Sequence, residues 1–220
     1  LEAGTIAAGA ALHYLEETQH HQVKHIAHLQ RIEEEHHVWM DRFTIRNLEL
    51  FYSANEGATL VDVLDHSITP MGSRMLKRWL AFPLKDMQPI EERLSVVEQL
   101  IQDKSLSRLL QTHIKEIGDL ERLISKVATG RINPREVVQL KRALTVIEPI
   151  QTACQSAGNN ALETIAEQLN PCALIRDRIA NEVQEEPPVT LAKGGVVAVG
   201  VNSELDDLRN IAQSSQEHLK

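Results

Sequence analysis

The chain is poor in cysteine and in aromatic residues, and it contains no long hydrophobic run. Its two cysteines, Cys154 and Cys172, cannot build a disulfide framework and form no CxxC pair, so we expect free thiols in a reducing compartment. Only 3% of the residues are aromatic, and Leu, Ile, Val and Ala supply most of the apolar side chains. This bias favours packed helices over a β-sandwich. The lack of a long apolar run argues against a membrane span.

The motifs of common enzyme classes are also missing from the sequence. It contains no GxxxxGK[ST] loop, no GxGxxG turn and no GxSxG elbow. The carboxylates fall mostly at helix caps and at exposed helical positions, where contact with solvent accounts for them. We therefore predict a chain with no catalytic residues and no cofactor site of its own.

The charge balance is acidic, with a net charge of -8, whereas a free-standing nucleic-acid-binding domain is normally basic. Basic residues nevertheless cluster in the middle of the chain, and acidic residues gather towards its end. No aromatic residues are interleaved with the basic cluster, so we favour solvated surface or domain contact over direct DNA contact. The basic cluster comprises Arg74, Lys77, Arg78, Arg122, Lys126, Arg131, Arg135, Lys141 and Arg142, and the acidic group comprises Glu182, Glu185, Glu186, Glu204, Asp206 and Asp207.

The stretch HSITPMGSRMLKRWLAFPL, residues 66–84, predicts a helix with two unlike faces. Thr69 is a favourable N-cap, and Pro70 suits the first helical position. Gly72 costs about 1 kcal/mol relative to Ala within a helix, so we expect a neighbouring backbone to approach closely there. The stripe that we expect to be buried consists of Met71, Met75, Leu76, Trp79 and Leu80. The opposite, basic face carries Arg74, Lys77 and Arg78.

Hydrophobic periodicity and capping signals predict further helices along most of the chain, so the expected fold class is all-α. One predicted helix begins near Ile6 and another lies around residues 46–50. A brief one is capped by Thr59, and a long one covers about residues 106–128. In the helix that follows DMQP, the stripe expected to be buried consists of Ile90, Leu94, Val97 and Ile101.

The later part of the chain contains equally clear signals for where helices begin and end. Asn133 and Glu136 have the spacing of a capping box, Pro149 should break or kink the helix that they open, and Pro171 should divide the next one. The Val-rich stretch around Gly194 and Gly195 predicts one small β-hairpin. A final helix, capped by Ser203, reaches Lys220 without a stop signal. We therefore expect both chain ends to be cuts through helical regions of a longer polypeptide.

A histidine-rich segment is the only candidate for a metal site. His21, His25 and His28 have spacings of four and three, so all three can share one helical face. Such a face can bind zinc, but the segment is not HExxH and no fourth ligand is evident. We therefore predict no metal, and we interpret the histidines as a solvated or interface face.

Several segments occur in an order that resembles one known family. They are HYLEETQ, MDRFTIRNLEL, GATLVDVLDHSITPMGSRMLKRWLAFPL, DLERLISKVATGRINPREVVQLKRAL, PPVTLAKGGVV and ELDDLR. The most specific is the stretch through Asp65 to Arg74, and NPRE at residues 133–136 is an independent anchor. From about Ile6 to Arg209, the sequence resembles the central part of the MutS family of DNA mismatch repair proteins.

The resemblance implies that this chain is one part of a larger protein. MutS proteins are clamp-shaped dimers that scan DNA, read a mispair with a Phe-x-Glu segment and use ATP to become sliding clamps. Neither the mispair-reading segment nor the Walker-type ATPase motif occurs in this sequence. The resemblance therefore implies a non-catalytic core and lever fragment that transmits conformational change between the ATPase and the DNA-gripping parts.

The expected cofactors and partners follow from the same resemblance. ATP and Mg would belong to the full-length protein, as would mismatched double-stranded DNA, a homodimer partner and repair factors such as MutL. The fragment itself should bind little or no DNA and no membrane. The resemblance also implies a bacterial, cytoplasmic protein that is associated with the nucleoid when it is on DNA.

The resemblance also divides the chain into three parts. Residues 1–30 correspond to the end of a connector and a linking helix, residues 31–185 to the helical core and lever domain, and residues 186–220 to the hairpin and the truncated start of the clamp. Some residues of the middle part match the family's motifs and are candidates for fixing helix junctions or coupling domains. These candidate site residues are Asp65, Gly72, Arg74, Arg78, Asn133 and Arg135.

Three alternatives remain open at the level of sequence. The chain could be the core of a MutS-like paralogue that serves recombination, because nothing within these residues separates the two. It could be a metal-dependent helical protein that uses His21, His25 and His28. It could also be an independent helical adaptor, although the last helix, which shows no stop signal, argues against an autonomous domain.

Overall fold

The computed structural model describes residues 2–18, 26, 36–54 and 57–217, and the side chains of 213 and 215–217 are not considered. These residues form twelve α-helices and one 3-10 turn at Leu191–Lys193, which confirms the predicted all-α class. The helices are α1 (Glu2–Glu17), α2 (Arg42–Asn47), α3 (Leu60–Leu64), α4 (Pro70–Ala81), α5 (Met87–Gln102), α6 (Lys104–Ile117), α7 (Leu120–Ala128), α8 (Pro134–Thr145), α9 (Ile147–Gln155), α10 (Asn160–Gln168), α11 (Ala173–Glu182) and α12 (Ser203–Glu217).

The core consists of two hydrophobic clusters that share helix α9. The first joins α6, α9 and α10, and α5 packs against it through Val96 and Leu100. The second joins α7, α8 and α9, and α11 packs against it through Ile179. Leu169, which follows α10, contacts both clusters. The buried members of the first cluster are Leu106, Leu110, Ile150, Cys154, Leu162 and Ala166, and those of the second are Leu123, Leu140, Leu144 and Ile147.

Most of the predicted helix boundaries are correct, because local capping signals determine them. The Thr59 side chain accepts a hydrogen bond from the Asp62 N–H and caps α3. The predicted break before Pro149 falls at Val146, where α8 ends and α9 begins. Helices α10 and α11 lie on either side of Pro171, as predicted.

The prediction of one helix over residues 106–128 is wrong. Gly118 adopts a φ of 68°, which only glycine tolerates readily, and α6 ends there. The Asp119 side chain then accepts a hydrogen bond from the Arg122 N–H and caps α7. The short helix expected around residues 46–50 also lies earlier, at α2, because the Asp41 side chain caps it through the Thr44 N–H at 2.6 Å.

The predicted β-hairpin around Gly194 and Gly195 is not formed. Its two Val-rich runs do not pair with each other; instead, Val197 forms one isolated bridge with Val183, at the end of α11. Two backbone hydrogen bonds support this bridge, from the Gln184 N–H to the Val196 carbonyl and from the Ala198 N–H to the Glu182 carbonyl. The second run is therefore attached to α11.

Two stripes that periodicity predicts to be buried are exposed to different extents. On α4, Met75 and Trp79 are exposed and the other three stripe residues are half-buried, because the main helix neighbour of α4 is the five-residue helix α3. On α5, Ile90 is half-buried, whereas the other three residues of the stripe are exposed. Helices α6 and α10 instead pack on the neighbouring face of α5, which carries Val96 and Leu100.

The two-cluster core predicts that stability depends on the interior side chains of α8. Replacing Leu144, which lies in the second cluster, by Ala should lower the free energy of unfolding by about 2–5 kcal/mol, because the cavity left behind cannot fully close. The matched replacement Leu174→Ala, at an exposed position of α11, should change the free energy of unfolding by less than about 0.5 kcal/mol. Urea unfolding followed by circular dichroism would measure both, and equal effects would contradict the packing.

Candidate functional site

The turn between α3 and α4 is held by two polar side chains. Asp65 accepts hydrogen bonds from the Ser73 hydroxyl and, at 3.1 Å, from the Ser67 N–H. These bonds, first that from Ser73, lower the pKa of the Asp65 carboxyl below its usual range. Thr69 is buried, and its hydroxyl oxygen accepts a hydrogen bond from the Gly72 N–H at 3.1 Å, which confirms the predicted N-cap.

The predicted close approach of a backbone to Gly72 is wrong. A Cβ at this position would lie 3.3 Å from the Ser67 Cβ and 3.4 Å from the Thr69 Oγ1, so the neighbours are side-chain atoms of the same turn. The site is nevertheless tight, because contacts of 3.3 Å require the neighbour to shift. Glycine at this position therefore allows the Asp65 turn to pack directly against the start of α4.

Arg74 joins α4 to the beginning of α7 through two carboxylates. Its Nη1 and Nη2 atoms donate to both oxygens of Asp119, at 3.1 and 2.6 Å, and its Nε and Nη2 atoms donate to the Oε2 atom of Glu121, at 2.9 and 2.6 Å. The hydrogen bonds from Arg74 lower the pKa of the Asp119 carboxyl, and both carboxylates raise the pKa of the Arg74 guanidinium. Asp119 thus caps α7 and binds α4 at the same time.

The other two basic residues of α4 have different surroundings. The charge of Lys77 contributes to the lowered pKa values of Asp62 and Asp65, although hydrogen bonds are the larger cause for both. Arg78 is exposed and lines an open cavity that Arg74 and Trp79 also line. Arg74 and Arg78 of the predicted basic face therefore share one cavity, whereas the charge of Lys77 acts on Asp62 and Asp65.

Across this cavity, α5 contacts α4 through a cation–π interaction. The guanidinium of Arg93 lies 3.6 Å from the centroid of the Trp79 ring, a distance typical of stacked arginine. Partial burial of Arg93 lowers its pKa slightly, but an arginine stays charged at all physiological pH values. Helix α4 is therefore bound to α7 by Arg74 and to α5 by Trp79.

The beginning of α8 contains the predicted capping box. The Asn133 side chain accepts a hydrogen bond from the Glu136 N–H at 3.0 Å, and the Glu136 carboxylate accepts one from the Asn133 N–H at 3.0 Å. Glu136 also accepts a hydrogen bond from the Lys126 ammonium group of α7, which is the first cause of its lowered pKa. This small network fixes the junction between α7 and α8.

Three basic side chains of α8 bind the segment that leaves α11. Arg135 donates from Nε to the Pro187 carbonyl at 3.0 Å, and Lys141 donates to the Glu185 carboxylate at 2.5 Å. Arg142 forms a longer ion pair with the other oxygen of Glu185, at 3.5 Å. The Lys141 ammonium group is the main cause of the lowered pKa of Glu185. Basic residues from the middle of the sequence thus form ion pairs with Glu185, a member of the acidic group towards its end.

Hydrogen bonds join the start of α12 to the segment between α11 and α12. The Asp206 carboxylate accepts a hydrogen bond from the Gly200 N–H at 2.7 Å, and Arg209 donates to the Val197 carbonyl at 2.9 Å. The predicted N-cap, Ser203, is the first residue of the helix instead; the side chain of Asn202 accepts a hydrogen bond from the Leu205 N–H at 2.9 Å. Helix α12 therefore has a defined direction where it leaves the core.

Six side chains at these junctions were not singled out as site residues from sequence. Asp119 follows Gly118 in a Gly-Asp pair, a local signal that marks the end of one helix and the cap of the next. The partners of long-range pairs had no such signal, because 45 or more residues separate Arg74 from its carboxylates in sequence. The six residues are Arg93, Asp119, Glu121, Glu185, Asn202 and Arg209.

No cluster of three or more His, Cys, Asp or Glu side chains that could hold a metal ion occurs among the described residues. The candidate ligands His21, His25 and His28 lie outside those residues, so the hypothesis about them is not tested. Within the described part of the chain, no helix has both the length and the apolar character that crossing a bilayer requires.

The fold defines an all-helical domain whose helix junctions carry ion pairs and side-chain caps. Residues 43–219 match the family model for MutS domain III, so the chain belongs to that family, as its sequence predicted.

The relatives identify the longer proteins in which such a domain occurs. The chain is 56% identical over 220 residues to the DNA mismatch repair protein MutS of Parabacteroides distasonis, and 54% identical over 220 residues to that of Bacteroides fragilis. It is 51% identical over 217 residues to the protein of the same name from Cytophaga hutchinsonii. These alignments cover 100, 100 and 98% of this chain but 25, 26 and 25% of the relatives. The chain therefore spans about a quarter of the length of the curated relatives it matches.

The Arg74–Asp119 pair predicts a specific dependence of stability on pH. Because the pKa of Asp119 is lower in the folded state, its contribution is complete above the unfolded-state value of about 3.9 and is lost as pH falls through the folded-state pKa. Asp119→Asn should therefore be less stable than the parent chain at pH 7, and the difference should shrink at acidic pH.

Urea unfolding of both proteins between pH 7 and pH 3 would measure this difference. The matched control is Asp207→Asn, at an exposed position of α12. It should change the stability little, by less than about 0.5 kcal/mol at neutral pH. A gap between Asp119→Asn and the parent that stays constant over the whole pH range would show that the carboxylate charge is unimportant.

Proposed function

We propose that this chain is the non-catalytic core and lever part of a longer DNA mismatch repair protein of the MutS type. Its role would be to carry a rigid-body change between an ATP-hydrolysing part and a DNA-gripping part. Membership of the domain III family and the names of the relatives support the repair context. They also favour mismatch repair over recombination, because each cited relative carries the mismatch repair name.

The observation that carries the proposal is a series of side-chain links along the molecule, completed by the backbone bridge between Val183 and Val197. Each link joins one helix or segment to the next, from the α3–α4 turn to the start of α12. A displacement at one end therefore has a physical route to the other. In order, the links are Ser73 to Asp65, Arg74 to Asp119 and Glu121, Lys126 to Glu136, Arg135 to Pro187, Lys141 to Glu185, and Arg209 to Val197.

The packing between these links favours motion as a unit. Close-packed helix interfaces shift between discrete arrangements and do not deform smoothly. Exposed ion pairs are individually weak, but here they join separate elements, α4 to α7 through Arg74 and α8 to the segment after α11 through Lys141. We therefore infer that the links set angles between helices more than they add stability.

The internal pairing of charges also supports little DNA binding by the chain itself. Lys141 and Arg142 are occupied by Glu185, and Arg74 is occupied by two carboxylates. Affinity for the phosphate backbone requires basic groups that can release its counterions, and these are partly neutralised. Mismatched DNA, ATP with Mg, a homodimer partner and factors such as MutL are proposed for the longer protein, in the bacterial cytoplasm.

Candidate site residues other than Gly72 and Arg78 lie on this series of links, and their coupling role is part of the proposal. Asp65 and Arg74 belong to its first two steps, Asn133 supports the third through Glu136, and Arg135 makes the fourth. The division at residues 30 and 185 likewise stays a prediction.

A gel-shift titration tests whether the chain reads DNA. The 220-residue chain should bind homoduplex and G·T heteroduplex DNA weakly and equally at low salt, if at all, and added salt should abolish the binding. A clear preference for the mispaired duplex would mean that this domain itself recognises the mismatch, which would overturn its assignment as a scaffold.

A substitution in the longer protein tests the coupling. Arg74→Gln should slow ATP-induced release from mismatched DNA by about tenfold, equivalent to ~1.4 kcal/mol of activation free energy, because α4 would no longer move with α7. Its affinity for the mismatch without ATP should change much less. The control Arg178→Gln removes an exposed pair within α11 and should leave release unchanged. Equal release by both variants would reject the role of Arg74.

A further inference from the structure

A cavity of about 370 Å³ borders α4, α5 and the start of α7, and its walls carry more positive than negative charge. Three arginines line it, Arg74, Arg78 and Arg93, together with one carboxylate, that of Glu121. Glu121 is already bound to Arg74, at 2.6 Å. The volume of the cavity falls in the range of small-molecule sites, about 300–1,000 Å³. We call this space the arginine cavity.

Two of the three arginines have no counter-charge. Within the part of the chain that the structure describes, the side chains of Arg78 and Arg93 donate no hydrogen bond and form no ion pair. Burial lowers the pKa of the Arg93 guanidinium, and no carboxylate of the described residues offsets this effect. Both groups stay charged at neutral pH, so they attract anions locally, although the chain as a whole has a net charge of -8.

Trp79 holds Arg93 in place and leaves its hydrogen-bond donors available. The Arg93 guanidinium lies 3.6 Å from the centroid of the Trp79 ring. A guanidinium stacked in this way contacts the ring with its flat face, whereas its five N–H groups point outward in its own plane. A group that is already held in position loses less conformational entropy when it binds a ligand. Stacking therefore prepares Arg93 to bind an anion.

The wall beside Arg78 is apolar. Met75, Arg78 and Phe82 follow one another at intervals of three and four along α4 and its C-cap, so they share one face. Met71 extends this face by one further turn. Met75 is 55% exposed, whereas Met71 and Phe82 are half-buried. Because methionine side chains adapt to irregular shapes, this wall suits a small organic group.

The charges of the arginine cavity favour a phosphate monoester over a carboxylate. A phosphate monoester carries about -1.5 to -2 charges at pH 7 and three strong acceptor oxygens, whereas a carboxylate carries a single charge and fewer acceptors. Guanidinium groups bind phosphate oxygens bidentately, so Arg78 and Arg93 together match one such group in charge and in donors. The apolar wall beside them matches the organic part of a monoester.

We propose that the arginine cavity binds a small phosphate monoester, with its phosphate group at Arg78 and Arg93 and its organic group against the apolar wall. The ligand would be a nucleoside monophosphate or a monoester of another planar, largely apolar group. Arg78 and Arg93 belong to none of the links that carry the proposed function. The binding site therefore goes beyond the proposed function and does not depend on it.

An acidic protein segment fits the arginine cavity less well. Arg74, on the same helix, binds two carboxylates that come from two separate residues. A protein segment would have to present further carboxylates to Arg78 and to Arg93 at the same time. One phosphate group supplies the charge for both, without the cost of ordering a segment of backbone.

A fluorescence titration of the 220-residue chain would test the proposal. Trp79 lines the arginine cavity and Trp39 is the only other tryptophan of the sequence, so Trp39→Phe leaves a single reporter at the site. The titrants are phenyl phosphate, inorganic phosphate and benzoate, all at the same ionic strength, because salt screens exposed charges.

The three titrants should differ in affinity. Phenyl phosphate should bind at least about tenfold more tightly than benzoate, because its additional charge and oxygens allow more charge-assisted hydrogen bonds. It should also bind several-fold more tightly than inorganic phosphate, because its ring removes part of the apolar wall from water.

Substitutions would test which residues bind the phosphate group. Arg78→Gln should weaken the binding of phenyl phosphate by about tenfold, because one of the two guanidinium groups is lost. The matched control, Lys77→Gln, removes the same charge from the neighbouring position of α4, which does not line the cavity, and should change the affinity by less than about twofold. Arg93→Lys keeps the charge but loses the planar fork, so it should weaken binding about as much as Arg78→Gln.

Adenosine monophosphate, titrated in the same way, would distinguish two sources of the ligand. An affinity at or above that of phenyl phosphate would support the proposal with a nucleotide as the ligand. A lower affinity, with phenyl phosphate still bound, would support it with a monoester of a smaller organic group.

Other outcomes would overturn the proposal. Equal affinities for phenyl phosphate and benzoate would indicate an acidic side chain of a partner protein as the occupant, and equal affinities for phenyl phosphate and inorganic phosphate would exclude the organic group. Failure of phenyl phosphate to bind would show that the cavity is not a ligand site. Equal effects of Arg78→Gln and Lys77→Gln, or undiminished binding by Arg93→Lys, would reduce the site to a general attraction of anions by exposed charge.

Discussion

One guanidinium group, that of Arg74, joins helix α4 to the beginning of α7. An arginine presents five donors in a planar fork, so it can hold both oxygens of Asp119 and still reach Glu121. A lysine at this position would make a single point contact and would leave the angle between α4 and α7 free. Because Asp119 is also the cap of α7, the position of α4 and the start of α7 are determined by the same carboxylate. Arg74 is half-exposed, so its importance lies in geometry more than in energy.

The same logic explains the uneven charge along the sequence. A basic middle and an acidic end suggest at first two separate surfaces for two partners. In the folded chain Lys141 and Arg142 form ion pairs with Glu185, so some of the opposite charges neutralise each other within the molecule. Opposite charges far apart in sequence thereby select one path for the segment that leaves α11. The pairing also neutralises part of the positive charge of α8.

Local signals in the sequence predict the structure well, and long-range ones predict it poorly. The caps at Thr59, Thr69 and Asn133 are correct because a cap depends on a few neighbouring residues. The break at Gly118 was missed because apolar periodicity continues across it, although the positive φ of Gly118 and the cap at Asp119 separate α6 from α7. The carboxylates that bind Arg74 could not be found at all, since nothing in a single sequence shows which of many acidic residues will lie opposite it.

The two wrong stripes, on α4 and α5, have a common physical origin. Periodicity shows that one face of a helix is apolar, but not which part of the protein covers it. On α8 the apolar face is buried, because α7, α9 and α11 all pack there. On α5 the residues at 96 and 100 contact the core, while the regular heptad row beside them stays open. Trp79 of α4 borders this row through its contact with Arg93 of α5. Periodicity therefore predicts which face of α5 is apolar, but not whether that face is buried.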